Sequence, residues 1–469
     1  MNDLRVETTP IPGLLVVRLS VLSDSRGWFK ENWQRAKMTA LGLPDFGPVQ
    51  NNVSYNAARG STRGIHTEPW DKYISVATGR VYAAWVDMRA GETFGTTFEL
   101  ECGPEVAVFV PRGVGNSYQA LVDGTVYTYL VNDHYRPDVG YPALHLGDET
   151  AAIRWPIPLD QAEISEKDQH NPRLADAGAV PPPRTLILGA RGQVGRALCE
   201  VFEHAHAVGR HELDLTDAAA LEAWDWDSYD VVLNAAAYTA VDAAETHEGR
   251  VGAWQANATA PAVLARLAVR HRFTLVHFSS EYVLDGTSPA EHTETEPLSP
   301  LGVYGQSKAA GEVAVAAAPR HYVLRTSWVV GQGANFVRTM RALAQRGVSP
   351  RVVSDQVGRL TFADELARAA KHLLDVGADP GVYHVSNAGP VMSWHDVAVA
   401  VFEACGRSGA DVTPVSTKTY FSDQVTSGVP VAPRPLNSAL SLAKIRATGF
   451  EPYDALRALQ AYLRTDSPS

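Results

Sequence analysis

A chain of 469 residues with 45% apolar and 20% charged residues has ordinary globular composition and is too long for one core, so two or three domains are expected. A net charge of -11 without a basic stripe excludes a nucleic-acid partner, because a phosphate backbone selects a basic surface. Met1-Asn2-Asp3-Leu4-Arg5 lacks an apolar leader core and no apolar run reaches the ~18 residues of a membrane span, so neither secretion nor a membrane is indicated.

The cysteines, Cys102, Cys199 and Cys405, are scattered without metal-ligand spacing. That fits a reducing, cytoplasmic setting, with no disulfide framework and no metal site. From residue 16 to 157 the pattern is short alternating runs cut by turns. Runs at 73–77, 80–86, 105–110 and 125–131 are separated by Thr78-Gly79, Pro111 and similar breaks. Such spacing predicts an all-β sandwich or barrel, a cupin-type jelly roll able to hold a small ligand between its sheets. Helical periodicity is weak except near 34–41. Arg63-Gly64-Ile65-His66 places an arginine three residues before a histidine. Arginine suits a phosphate or carboxylate and histidine suits proton transfer, which points to an anionic substrate.

These residues resemble the dTDP-4-dehydrorhamnose 3,5-epimerases. The likeness runs through Asp24-Ser25-Arg26-Gly27-Trp28-Phe29, Gln50-Asn51-Asn52-Val53-Ser54, Arg63-Gly64-Ile65-His66, Val86-Asp87-Met88-Arg89, Trp155-Pro156 and Ile164-Ser165-Glu166-Lys167-Asp168. The resemblance implies that His66 is the general base, Asp168 the carboxylate orienting it, and Tyr129 the acid on the opposite sugar face. It assigns Arg26, Gln50, Asn52, Arg63, Lys72 and Asn116 to the substrate. A 4-keto group acidifies the hydrogens at C3 and C5, so base and acid on opposite faces suffice for epimerisation. In Gly113-Val114-Gly115-Asn116-Ser117-Tyr118, Asn116 stands where the family usually has a second histidine, and the stretch from His66 to Lys72 is short. A single-carbon epimerase and a non-catalytic sugar-nucleotide barrel therefore stay open as alternatives.

Residues 1–175 are read as this domain and 176–184, containing Pro181-Pro182-Pro183, as a semi-rigid linker. At 185 the pattern restarts. Thr185-Leu186-Ile187-Leu188 leads into Gly189-Ala190-Arg191-Gly192-Gln193-Val194-Gly195 and a helical stretch, 194–202, the opening of a dinucleotide-binding βαβ unit. Predicted strands at 231–234 and 274–280 alternate with a helix at 256–269, giving a doubly wound parallel sheet, an α/β Rossmann-type domain over 185–469. The turn from Gly189 to Gly195 would hold a pyrophosphate on free backbone N–H groups. At the end of the second strand the chain reads Ala207-Val208-Gly209-Arg210, with Asp214 later. Arg210 suits a 2′-phosphate and points to NADPH, with NADH the alternative. In Tyr304-Gly305-Gln306-Ser307-Lys308 the tyrosine and lysine share a helix face. Lys308 is expected to lower the phenol's pKa, and Ser280 to add a hydrogen bond to the same carbonyl.

This half is similar to the extended short-chain dehydrogenase/reductases, most closely the dTDP-4-dehydrorhamnose reductases. The motifs are Asn234-Ala235-Ala236-Ala237-Tyr238-Thr239-Ala240-Val241-Asp242, Ser280-Glu281-Tyr282-Val283-Leu284-Asp285-Gly286, Leu324-Arg325-Thr326-Ser327-Trp328-Val329 and Arg434-Pro435-Leu436-Asn437-Ser438. The resemblance implies Ser280, Tyr304 and Lys308 as catalytic, Ala235, Ala236 and Ala237 along the cofactor, and Trp328 and Arg434 on the substrate side. It leaves a divalent metal for the reductase open and implies a homodimer. Taken together, the halves imply a bifunctional enzyme: 3,5-epimerisation of dTDP-4-dehydro-6-deoxy-D-glucose, then reduction of the 4-keto group to dTDP-L-rhamnose. The alternative is a barrel serving a 4-ketoreductase that makes another 6-deoxyhexose.

Overall fold

The computed structural model describes residues 4–135, 140–181, 184–426 and 430–465, and the chain divides into two units, Met1–Pro182 and Pro183–Ser469. In the first unit, strand alternation sorts side chains between two layers. A six-stranded sheet faces a five-stranded one. Val16, Ile74 and Val108 of the first sheet meet Val81, Ala83 and Trp85 of the second in a shared core. The neighbours Val17, Tyr73 and Phe109 point the other way and are covered by Met38, Leu43 and Phe46. The expected jelly-roll sandwich is thus present, and the expected run at 125–131 is the strand Thr125–Val131. The helix expected at 34–41 is Arg35–Ala40, capped by the Gln34 side chain.

The register matters for function. Antiparallel pairing sets Asn116 opposite His66. A short parallel pairing of Glu163–Ile164 with Ser61 and Thr62 brings the helix Glu166–Gln169 alongside that same strand. Of the linker, Pro182 and Pro183 lie outside the described residues. Val180 just before them is held to the first unit, donating its N–H to the Met88 carbonyl at 2.6 Å and accepting from Ala90 N–H at 2.8 Å.

The second unit is built on a parallel sheet in the order His206–Val208, Thr185–Leu188, Val231–Asn234, Thr274–Ser280, His321–Thr326 and Gly381–His384. Both faces are buried, as a sheet flanked by helices requires. Ile187, Leu233, Val276 and Leu324 pack on one side, with Leu366 and Leu373 of a covering helix. Leu186, Val232, Leu275 and Val323 pack on the other, against Leu264 and Leu267. The order reverses between the first and third strands, the crevice where open α/β sheets take ligands. The helix expected at 256–269 starts instead with a π-turn, Gln255–Thr259, before Ala260–His271. Pro261, at the head of the second segment, has no N–H to continue the ladder, so the hydrogen-bond register widens there.

Helix Val303–Val315 is tied to the sheet by a buried ion pair. Arg325 Nε and Nη2 donate to Glu312 at 3.0 and 2.8 Å, and both side chains are only 4% exposed. Breaking such a pair strands the remaining charge. Glu312→Leu is expected to destabilise the second unit by about 3–5 kcal/mol, measured as an earlier urea-unfolding transition of the full chain; an unmoved transition would show that the guanidinium finds other partners.

Candidate active sites

In the first unit a cavity of about 590 Å³ opens between the sheets, its lining including Arg63, His66, Lys72, Asn116, Tyr129 and Asp168. His66 ends the strand Ser61–His66, and its Nε2 lies 2.7 Å from Asp168 Oδ1. Asp168 is buried; its other oxygen accepts the Gly64 N–H at 3.3 Å, and its helix is capped by Ser165. Burial would raise this carboxyl, but hydrogen bonds from His66, Gly64 and Ser165 outweigh it and hold the group below the ordinary carboxylate value. Tyr129 is pushed up, first by burial and then by the charge of Glu68. Glu68 is ion-paired with the buried Lys72. Asn116 accepts the Tyr127 hydroxyl at 3.3 Å, and Arg63 donates to Asn56 at 3.2 Å.

Three residues expected at the substrate lie elsewhere. Arg26 sits on a two-stranded hairpin, Val21–Asp24 with Gly27–Lys30, its side chain 88% exposed and paired with Asp24 at 2.6 Å. The hairpin forms its own two-stranded sheet, with Lys30 at its end donating to the Val76 carbonyl at 2.8 Å, and Arg26 is not among the residues lining the cavity. Gln50 and Asn52, on the edge strand Gln50–Asn56, bond to each other at 2.8 Å, and neither lines the cavity.

In the second unit Gly189 follows the first strand with φ +74°, and a side chain there would meet the backbone of Ala235 and Ala236. A Cβ on Gly195 would strike the Gly189 carbonyl and Ala190. The absence of side chains at these two glycines therefore lets the turn pack tightly on Ala235 and Ala236 and onto the N-terminus of helix Gln193–Val201. Gln193 accepts the Gly331 N–H at 2.9 Å, Val194 is half-buried in the adjoining core, and Ala237 is exposed beyond the third strand. Arg191 lies beside Gly209 and pairs with Glu212 at 3.1 Å; the exposed Arg210 pairs with Asp214, also at 3.1 Å.

Ser280 ends strand Thr274–Ser280, and Tyr304 and Lys308 project from helix Val303–Val315. Tyr304 is hydrogen-bonded to Ser280. Lys308 does not lower the phenol as expected. Its Nζ turns to the Phe278 carbonyl at 2.5 Å and to His277 Nε2 at 3.4 Å. Burial lowers the Lys308 ammonium to about 8, and burial with the nearby Glu281 carboxylate keeps the Tyr304 phenol well above its ordinary value. Asn257, at the π-turn, holds Tyr238 through its backbone N–H at 2.9 Å and carbonyl at 3.0 Å, and donates to Ser307 at 3.1 Å. Trp328 stacks on Trp394 with centroids 3.7 Å apart. Arg434 pairs with Asp242 at 2.7 Å and lies over the Phe421 ring. Among the described residues no group of three His, Cys, Asp or Glu is placed to hold a metal, and no helix is long and apolar enough to cross a membrane.

Residues 8–176 match the family model described as dTDP-4-dehydrorhamnose 3,5-epimerase, and residues 183–467 match the RmlD substrate binding domain. The chain belongs to both families, one in each unit. The first unit is similar to the protein RmlC homolog of Streptococcus pyogenes, 44% identical over 183 residues, 38% of this chain and 92% of the relative. The second is similar to the dTDP-4-dehydrorhamnose reductase of Aggregatibacter actinomycetemcomitans, 36% identical over 59% of this chain and 97% of the relative. It is also similar to the crystal structure of the Bacillus anthracis dTDP-4-dehydrorhamnose reductase in complex with NADP: 29% identity, TM-score 0.55, 61% of this chain and 99% of that one. Within this RmlD-type unit and its epimerase neighbour, sequence reasoning passed over Glu68, Asn257 and Glu281. Glu281 stood inside the Ser280–Gly286 motif and Glu68 four residues before its partner Lys72, whereas Asn257 carried no local signal of what it would touch.

The His66–Asp168 contact gives a pH-dependent expectation. Asp168 titrates below its unfolded value, so its contribution to stability is complete above the ordinary carboxylate pKa near 4 and is lost as pH falls through the folded value. Asp168→Asn should cost the first unit about 1–3 kcal/mol at neutral pH. Urea midpoints of variant and parent should converge in acid, and a pH-independent gap would contradict the assignment.

Proposed function

We propose that the chain is a bifunctional enzyme that epimerises dTDP-4-dehydro-6-deoxy-D-glucose at C3 and C5 and then reduces the 4-keto group to give dTDP-L-rhamnose. The observation that carries this reading is that the two matches run over 92% and 97% of relatives, with each unit presenting a set of proton-transfer groups. The compound that names the epimerase family and the reductase relatives, dTDP-4-dehydrorhamnose, is what the first reaction makes and the second consumes. We assign the epimerase to 1–175 and the reductase to 185–469, with 176–184 as linker.

In the first unit His66, oriented by Asp168, removes the proton next to the ketone. Tyr129, kept protonated by burial, supplies a proton from the other side, and Lys72 with Arg63 balances enolate and diphosphate charge. In the second unit NADPH supplies hydride when bound. The glycine turn from Gly189 to Gly195, packed backbone to backbone on Ala235 and Ala236, and the helix N-terminus that it opens fit a pyrophosphate. Arg191 and Arg210 beside the second strand suit a 2′-phosphate, as does the NADP bound to the Bacillus anthracis relative. Tyr304 gives its proton to the carbonyl oxygen, which its protonated state at neutral pH permits, and Ser280 adds a second hydrogen bond. Lys308 braces the strand end through Phe278, next to that hydroxyl pair. Trp328 and Arg434 are taken as substrate-side residues.

A homodimer is part of the proposal. Phe29 on the hairpin is 64% exposed, and Val53 and Tyr55 on the open edge strand are 65% exposed, an apolar edge suited to pairing with a second copy. The three free cysteines suit the reducing cytoplasm in which we place the enzyme.

Full-length chain, dTDP-4-dehydro-6-deoxy-D-glucose and NADPH should give dTDP-L-rhamnose with loss of absorbance from NADPH. His66→Ala and Tyr304→Phe should each lose product by at least about 10²-fold, and the two variants mixed should restore it. NADPH loss with another sugar as product, or an active His66→Ala, would remove the epimerase assignment.

A further inference from the structure

Glu281 stands among the groups assigned to reduction and has no role in the reading above. It follows Ser280 at the strand end and is 3% exposed. The Ser280 hydroxyl donates to it, Oγ to Oε2 at 2.7 Å. Facing it are the hydroxyls of Ser280 and Ser438 and the phenols of Tyr282 and Tyr304. Among the described residues no lysine or arginine pairs with it, and burial raises its carboxyl to about 7.

A serine hydroxyl has one hydrogen. While Glu281 is ionised, that hydrogen is committed to the carboxylate, and the Ser280 oxygen accepts the Tyr282 N–H at 3.3 Å. Nothing is then left for Ser280 to donate to a substrate carbonyl. Once Glu281 is protonated, its own O–H donates to Ser280 Oγ in place of the Tyr304 hydroxyl, which turns to the ketone, and the serine hydrogen is free to turn to that carbonyl as well. We propose that Glu281 is a positioning residue whose protonated form makes Ser280 a hydrogen-bond donor to the substrate ketone, so that the reductase works with a neutral carboxyl there. The inference rests on the reductase reading above. Glu281 keeps its proton through turnover: hydride goes to C4 and the Tyr304 proton to the oxygen, while Glu281 only re-aims a hydrogen bond.

The test uses the full chain, NADPH and dTDP-4-dehydro-6-deoxy-D-glucose, with a separate 3,5-epimerase in excess so that reduction is limiting. Because Glu281 is active when protonated, kcat should fall as pH rises through about 7, approaching the ~10²-fold loss of one oxyanion donor. Glu281→Gln, whose amide always donates, should keep the plateau rate and lose this limb, leaving only the decline as Lys308 titrates near 8. The groups facing Lys308 are His277 on the sheet and Glu312 on its own helix, and both stay in place. Ser438→Ala removes a hydrogen bond that favours the carboxylate, so it should move the limb to higher pH. A wild-type limb in Glu281→Gln, a Glu281→Gln rate as low as that of Glu281→Leu at every pH, or an unmoved limb in Ser438→Ala would each overturn the proposal. Wild type that consumes no NADPH at any pH would strike the reductase reading, and this inference with it.

Discussion

Burying an ionisable group is costly, and in each unit one of the groups assigned to the chemistry sits at the end of a strand, where the ladder stops. In Thr274–Ser280 the middle residues Leu275 and Val276 point into opposite cores, while Ser280 lies at the terminus beside Tyr304. In the first unit, Ser61–His66 buries Ile65 and presents His66 at its last position, where Asp168 arrives from a separate helix. Within the sheet His277 and the ion-paired Arg325 depart from this. His277 is fully buried, burial holds it well below its ordinary value, and it bridges Asn234 and Lys308. An uncharged imidazole is the form such a position tolerates.

The same burial decides the protonation states. Tyr129 and Tyr304 are both held as neutral phenols, which suits groups whose task is to give a proton. The lysine near each phenol is turned to another partner: Lys72 to Glu68, and Lys308 to a main-chain carbonyl. Cations near the phenols do not override desolvation in either site. Proton donation is thus arranged by exclusion of water, and the charged groups serve to fix geometry.

Much of this was legible in the sequence because the signals were local. The glycine turn from Gly189 to Gly195, the Tyr304/Lys308 spacing and the alternation of 125–131 all express backbone requirements acting over a few residues. What escaped was set by contacts between distant segments. Lys308 and Tyr304 share a helix face, yet the direction of Nζ depends on Phe278, thirty positions away. Arg26 lies in the Asp24–Phe29 motif, but only the tertiary structure shows that its hairpin pairs with neither large sheet. The π-turn before Ala260 followed from Pro261, a visible residue whose effect depends on the helix that continues around it. Asn257 gave no local cue, since its partners Tyr238 and Ser307 lie 19 and 50 positions away, and Glu68 pairs locally with Lys72 but acts on Tyr129 of a distant strand.

The account holds that one chain moves protons at two carbons and then reduces the ketone. The most direct measurement is to run the full reaction in D2O with NADPH and read the product by NMR. Deuterium at both C3 and C5 of a dTDP-L-rhamnose product, with hydrogen at C4, is the result expected. Deuterium at a single carbon, or a reduced sugar carrying none, would contradict it.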